Sequence, residues 1–269
     1  MRTSSNPAFR NLPSGQGGGY ATFDRQGGAM GGAAAYSDVQ AAKVGYGRVD
    51  TGDRPITVDD IVTKTAISAG IALTAGVLTA VTQAYILALP AFIVGFVVAL
   101  IIIFKQSSNP ALVLTYSAAM GVALGAIAGL LNNLYPGIAF QALIGTAGVF
   151  VGMLVVYKTG AVRVTPRFTK WLMGALIGVV VLMVANLVGN WLFGIDLGLR
   201  SGGPLAIIFS LVVIGVAAFS LLLDFDMADR AVRDGAPAKL AWYIAFGLMT
   251  TLVWLYIEIL RLLSYLRGE

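Results

Sequence analysis

From Thr65 to Phe104 the chain runs forty residues without a charged side chain, and further uncharged runs extend from Gln106 to Tyr157 and from Trp171 to Ile195. A helical span of a bilayer core needs about 20 apolar residues. Each run is therefore long enough to cross lipid, and forty residues in one helix would measure about 60 Å, twice the core thickness. Hydrophobic residues make up 58% of the 269 and charged residues 12%, against roughly 25% charged in ordinary soluble domains. These values predict an all-α polytopic membrane protein and exclude a soluble enzyme. The ionisable groups that touch the spans then become the candidates for function, because charge at bilayer depth is costly.

The chain has no cysteine and no histidine. It therefore lacks a thiolate nucleophile, a sulfur-ligated metal, and the usual general base and zinc or haem ligand. No enzyme activity and no cofactor are expected, and any proton chemistry must use carboxylates. A net charge of +5 raises the question of nucleic acid. The basic residues, however, flank the spans, where they orient a membrane protein, and no basic face coincides with a binding motif.

Residues 1–56 are Gly-rich, with little aliphatic content. Such a segment cannot bury enough surface to order itself and is expected as a solvated tail ahead of a membrane domain at 57–269. The domain opens at Thr57-Val58-Asp59-Asp60, where a hydroxyl three residues before an acid resembles a capping box. Spans are expected at about 63–83, 86–104, 111–131, 137–157, 171–192, 204–224 and 241–264, making seven. A tight turn near Thr82-Gln83 separates the first two and leaves Pro90 near the start of the second, where a missing amide costs least.

Lys and Arg alternate between the loops. Arg48, Arg54 and Lys64 precede or open the first span, Lys105 follows the second, and Lys158, Arg163, Arg167 and Lys170 follow the fourth, while Arg230, Arg233 and Lys239 follow the sixth. The intervening loops carry only Arg200. The excess predicts a cytoplasmic amino terminus in a plasma (inner) membrane. Arg261 and Arg267 resist this scheme if the last segment crosses fully, whereas a re-entrant last helix would keep them inside.

Gly121, Gly125 and Gly129 lie four apart on the third span, and Gly148 and Gly152 on the fourth. Such spacing lines one helix face and permits close backbone approach, so both sets are expected at helix contacts. Asn186 and Asn190, also four apart, suit interhelical hydrogen bonds or a polar lining. Among thirteen acids, Asp224 ends the uncharged sixth span and Glu258 stands inside the last one. Two such groups in contact would share a proton and form a pH-dependent latch. The plainer alternatives are a helix end beside Arg230 for Asp224, and an i,i+3 pair with Arg261 for Glu258. Asp226 and Arg261 are accessory candidates.

The stretch Tyr116-Ser117-Ala118-Ala119-Met120-Gly121, the pairs Ala139-Phe140 and Thr146-Ala147, the hinge Thr165-Pro166-Arg167-Phe168-Thr169-Lys170, the Asp224 segment and Leu255-Tyr256-Ile257-Glu258-Ile259-Leu260-Arg261-Leu262-Leu263 together resemble the transmembrane Bax inhibitor motif family in a bacterial form. The resemblance implies a seven-helix bundle with the last helix at its centre. It also implies a pH-sensitive calcium leak, sensed by a pair of acids on the last two helices, whose positions match Asp224 and Glu258 here. Calcium is then the expected small partner beside the lipid bilayer. The alternative is a non-conducting regulator that binds a quality-control protease or another membrane complex. An intramembrane aspartyl protease also needs two membrane carboxylates, but its Gly-x-Gly-Asp context is absent around Asp224.

Overall fold

The computed structural model describes residues 54–194 and 198–268. Of the expected tail, residues 1–53 lie outside the described residues. Seven long helices follow: α1 Val58–Val81, α2 Ala88–Lys105, α3 Pro110–Leu134, α4 Ile138–Thr159, α5 Pro166–Phe193, α6 Pro204–Arg233 and α7 Leu240–Gly268. All seven are long and apolar enough to cross a membrane, and the chain is a multi-pass helical membrane protein.

Local chemistry sets the helix ends. The Thr57 hydroxyl accepts from the Asp60 amide, and the Asp60 carboxylate accepts from the Thr57 amide, which completes the capping box. Asn109 and Thr165 cap α3 and α5 by accepting from Ala111 and Phe168 amides, each followed by a proline at the first helical position. The long uncharged run breaks after Val81. Gln83 takes a left-handed conformation, a 3-10 turn at Tyr85–Leu87 follows, and Pro90 falls in the first turn of α2.

The boundaries differ most at α6, which continues nine residues past the expected end at 224 and stops at Arg233. The charged residues there support the extension: Arg230 pairs with Asp226 at 2.6 Å and Arg233 with Asp229 at 2.8 Å, both at i,i+4. Such pairs hold a helix together in the interfacial region, where the apolar signal has already ended.

The bundle runs up and down, with α7 packed against α1, α3, α4 and α6. α7 therefore sits at the centre. Its flank towards α2 and α3 is filled by Phe246, Met249 and Val253 against Ile102, Val113 and Met120, with Tyr116 edge-on to Phe246 at 4.9 Å. The flank towards α4 and α6 is filled by Leu248, Leu255 and Ile259 against Ile138, Ala142 and Leu221.

One end of the bundle, here the basic end, gathers the start of α1, the loops after α2, α4 and α6, and their Lys and Arg residues. There Ile56, only 2% exposed, donates its amide to Ala236, and the Ala238 amide donates to Arg54. Lys64 reaches the Ala238 carbonyl at 2.7 Å and lies over the Trp242 ring. At the far end Arg267 donates to the Pro136 carbonyl and to Gln141, both at 2.8 Å, and the Tyr265 hydroxyl donates to the Arg200 carbonyl. The last helix is thus continuous from the basic end to the far end of the bundle. Arg261 and Arg267 stand at or towards the end opposite the other basic residues, where protein acceptors satisfy them.

The glycine pattern divides. On α3, a Cβ placed at Gly121 would lie 2.7 Å from Ala72 Cα, and one at Gly125 would lie 2.5 Å from Gly76 Cα. Only hydrogen fits there, so α1 and α3 meet backbone to backbone along Ala72, Gly76, Gly121 and Gly125. At Gly129 the obstruction is the Tyr85 ring. Gly148 and Gly152 do not pack as expected, since a Cβ at either meets nothing within 4 Å. The face of α4 that seats on α7 carries Ala142, Gly145 and Thr146 instead, and the GxxxG spacing on α4 points elsewhere. Gly125→Ala should therefore cost about 1–3 kcal/mol through forced backbone separation. Gly148→Ala should gain about 0.5–1 kcal/mol from reduced backbone entropy. Thermal melting of the two variants in detergent checks this reversal of sign.

Candidate functional site

The two candidate carboxylates each meet a different partner. Because α6 extends to Arg233, Asp224 lies within the helix, about 13 Å from its basic end at 1.5 Å per residue. It is half-buried and faces α7, where the Thr251 hydroxyl donates to its Oδ2 at 2.7 Å. The same hydroxyl lies 3.4 Å from the Gly247 carbonyl of its own helix. The helix-end reading, with Arg230 as the neighbour, is corrected: Arg230 is taken by Asp226.

Glu258 is 2% exposed, among the most buried side chains of the bundle. Both of its oxygens accept from Arg261 Nη1 at 2.9 Å, and Arg261 itself keeps 22% side-chain exposure. The i,i+3 pair anticipated as the plainer reading is therefore present. Thr251 and Glu258 are seven residues apart on α7, about 10 Å along the axis. The two acids are thus held on different turns, Asp224 by a hydroxyl and Glu258 by a guanidinium. A shared proton requires contact, and the partners actually present take its place.

The accessory residues separate too. Asp226 is engaged by Arg230, and Arg261 by Glu258. Asn186 and Asn190 lie on α5, which packs chiefly along α6; Asn186 is buried whereas Asn190 is exposed. They do not form one polar face, and neither lines the large groove described below. Among the described residues no group of three or more His, Cys, Asp or Glu side chains could hold a metal ion.

Two further features are not legible in any single segment of the chain. Thr251 is one threonine among several in the spans, and only the antiparallel register of α6 and α7 marks it as the partner of Asp224. The other feature is a groove of about 1240 Å³. It lies between α1 and α4, with α3, α6 and α7 as its floor. Its α1 wall extends from Val58 to Ala80, and its α4 wall from Ala139 to Lys158. Asp226, Asp229, Arg233, Lys158 and Arg163 stand at its basic end.

Residues 6–268, nearly the whole chain, match the family described as Bax inhibitor 1 like. The chain belongs to this family. No match is found among the curated proteins.

The Glu258 and Arg261 pair generates a test of its structural role. Arg261→Met leaves a buried carboxylate without its cation, a change that costs about 3–5 kcal/mol where pairs are fully buried; the partial exposure of Arg261 places the expectation at the lower end. Adding Glu258→Gln to Arg261→Met removes the orphaned charge and should restore most of the loss. Melting temperatures of the single and double variants measure the coupling.

Proposed function

We propose that this member of the Bax inhibitor 1 like family passes cations, calcium among them, across a bacterial inner membrane, with Asp224 and Glu258 as the carboxylates that govern the path. The observation that carries the reading is the bond from Thr251 to Asp224 inside the α6 and α7 contact. An ionised Asp224 can only accept this bond. Once protonated, the same group becomes a donor and must find an acceptor, so a change of pH changes the contact between the two helices. The Glu258 carboxylate, held by Arg261, lies about two turns further along α7.

Flux of calcium from liposomes containing the purified full chain tests this. Asp224→Asn keeps the shape and the acceptor oxygen for Thr251 while removing the site that takes up a proton, so it should flatten the pH dependence of the flux. Glu258→Gln removes the carboxylate that holds Arg261 and should change the amount of flux, and the double variant should show the sum of both effects. Calcium flux absent from the wild-type protein, with a membrane protease or other complex recovered in stoichiometric association, would favour the non-conducting regulator. Wild-type pH dependence in Asp224→Asn would sink the carboxylate control.

The proposed orientation places the basic end in the cytoplasm, in keeping with the excess of Lys and Arg in loops of that end. The chain has no cysteine, so single introduced thiols report cleanly. In intact cells Ser107→Cys and Ala236→Cys should resist an impermeant thiol reagent, while Gly202→Cys should react. The inverse pattern reverses the orientation.

A further inference from the structure

We propose that the groove between α1 and α4 is a binding site for one anionic phospholipid of the leaflet at the basic end, with its phosphate held by Lys158 and Arg163. This is independent of whether the protein conducts ions, because Asp224 faces Thr251 and does not line the groove.

Three features select the occupant. The first is depth. The α1 wall from Val58 to Ala80 extends about 33 Å at 1.5 Å per residue, which matches the roughly 30 Å hydrocarbon core of a bilayer. At about 1240 Å³ the space exceeds the roughly 300–1,000 Å³ of pockets that hold compact small ligands. An elongated occupant fits it better than a compact one. The second is the wall itself. Ala66, Ala69 and Gly76 on one side and Ala139 and Ala147 on the other keep the walls low, while Leu73, Val77, Leu143 and Leu154 offer aliphatic surface to a chain.

The third feature is charge, and it identifies the head. At the basic end both carboxylates are already engaged: Asp226 by Arg230, and Asp229 by Arg233 and by the Tyr157 hydroxyl. Lys158 and Arg163 border the same mouth and are exposed. Among the described residues they have no hydrogen bond or ion pair. Two cations without counter-ions at headgroup depth complement a phosphodiester, and each basic residue near an anionic lipid surface contributes about 1 kcal/mol. Thr65, in the groove wall about 10 Å along α1, has a buried hydroxyl without a partner. A transmembrane helix of a partner would fill the apolar length but would leave the two cations unmatched.

Native mass spectrometry of the delipidated full chain in detergent tests the site with three probes: phosphatidylglycerol, phosphatidylcholine with the same acyl chains, and water-soluble glycerol phosphate. The wild type should retain one phosphatidylglycerol with an affinity at least about tenfold above phosphatidylcholine, as two favourable cations require, and should not retain glycerol phosphate. The double variant Lys158→Gln, Arg163→Gln should fall to the phosphatidylcholine level, while Lys158→Arg, Arg163→Lys should keep the preference. Ala147→Trp, which fills the groove from α4, should weaken both lipids. Unchanged melting temperatures establish that the variants are folded. Equal retention of the two lipids by the wild type, or an undiminished preference in the Gln variant, overturns the proposal. So does retention of glycerol phosphate as strong as that of the lipid, which would indicate a soluble-anion site, or a protein dimer in place of the lipid adduct.

Discussion

Hydrocarbon surrounds this bundle, so burying an apolar side chain against another helix removes it from nothing worse than lipid. Close packing has to replace the hydrophobic drive. The contact of α1 with α3 at Ala72, Gly76, Gly121 and Gly125, where a Cβ has no room, is the clearest instance. It draws α1 towards α3, and α4 in turn seats on α7 through Ala142, Gly145 and Thr146. The small residues that α1 and α4 turn towards each other, Ala66, Ala69 and Gly76 on one side and Ala139 and Ala147 on the other, stay apart as groove walls. The groove between them follows from where the small residues are, and so does the openness of Gly148 and Gly152.

The second constraint is the cost of bare polarity at bilayer depth. Both buried acids obey it, by different means. Glu258 takes a cation from its own helix, a local solution that survives any rearrangement of the neighbours. Asp224 takes a neutral hydroxyl from α7, a solution that depends on the register of two helices. The more conditional of the two bonds is the one suited to a control element. At the basic end Asp226 and Asp229 are paired along α6, while the side chains of Lys158 and Arg163 are exposed.

Much of the architecture was legible from residues alone. Uncharged length marked the spans, Thr57 with Asp60 marked the first helix start, and Gln83 marked the break between the first two helices. The end of α6 was not legible, because hydropathy stops at Asp224 while the i,i+4 ion pairs carry the helix on to Arg233. Glycine spacing identified the seam on α3 but equally nominated Gly148 and Gly152, since spacing defines a face and leaves open which neighbour, if any, that face meets. For the site, the sequence marked Asp224, Glu258 and the Arg261 alternative. Thr251 depends on antiparallel register across two helices, and the groove depends on which helices fail to touch. Neither is a property of any single segment.

The central position of α7 has a consequence for biosynthesis. Of the seven helices it is the last to leave the ribosome, yet it is the one on which α1, α3, α4 and α6 converge. Until it arrives, the earlier helices meet one another chiefly through α3, which packs on α1 and α2. Its translocation must also carry Arg261 and Arg267 towards the far end of the bundle. Glu258, three residues before Arg261 on the same helix, pairs with it, so the first of these cations reaches the far end with its counter-ion beside it.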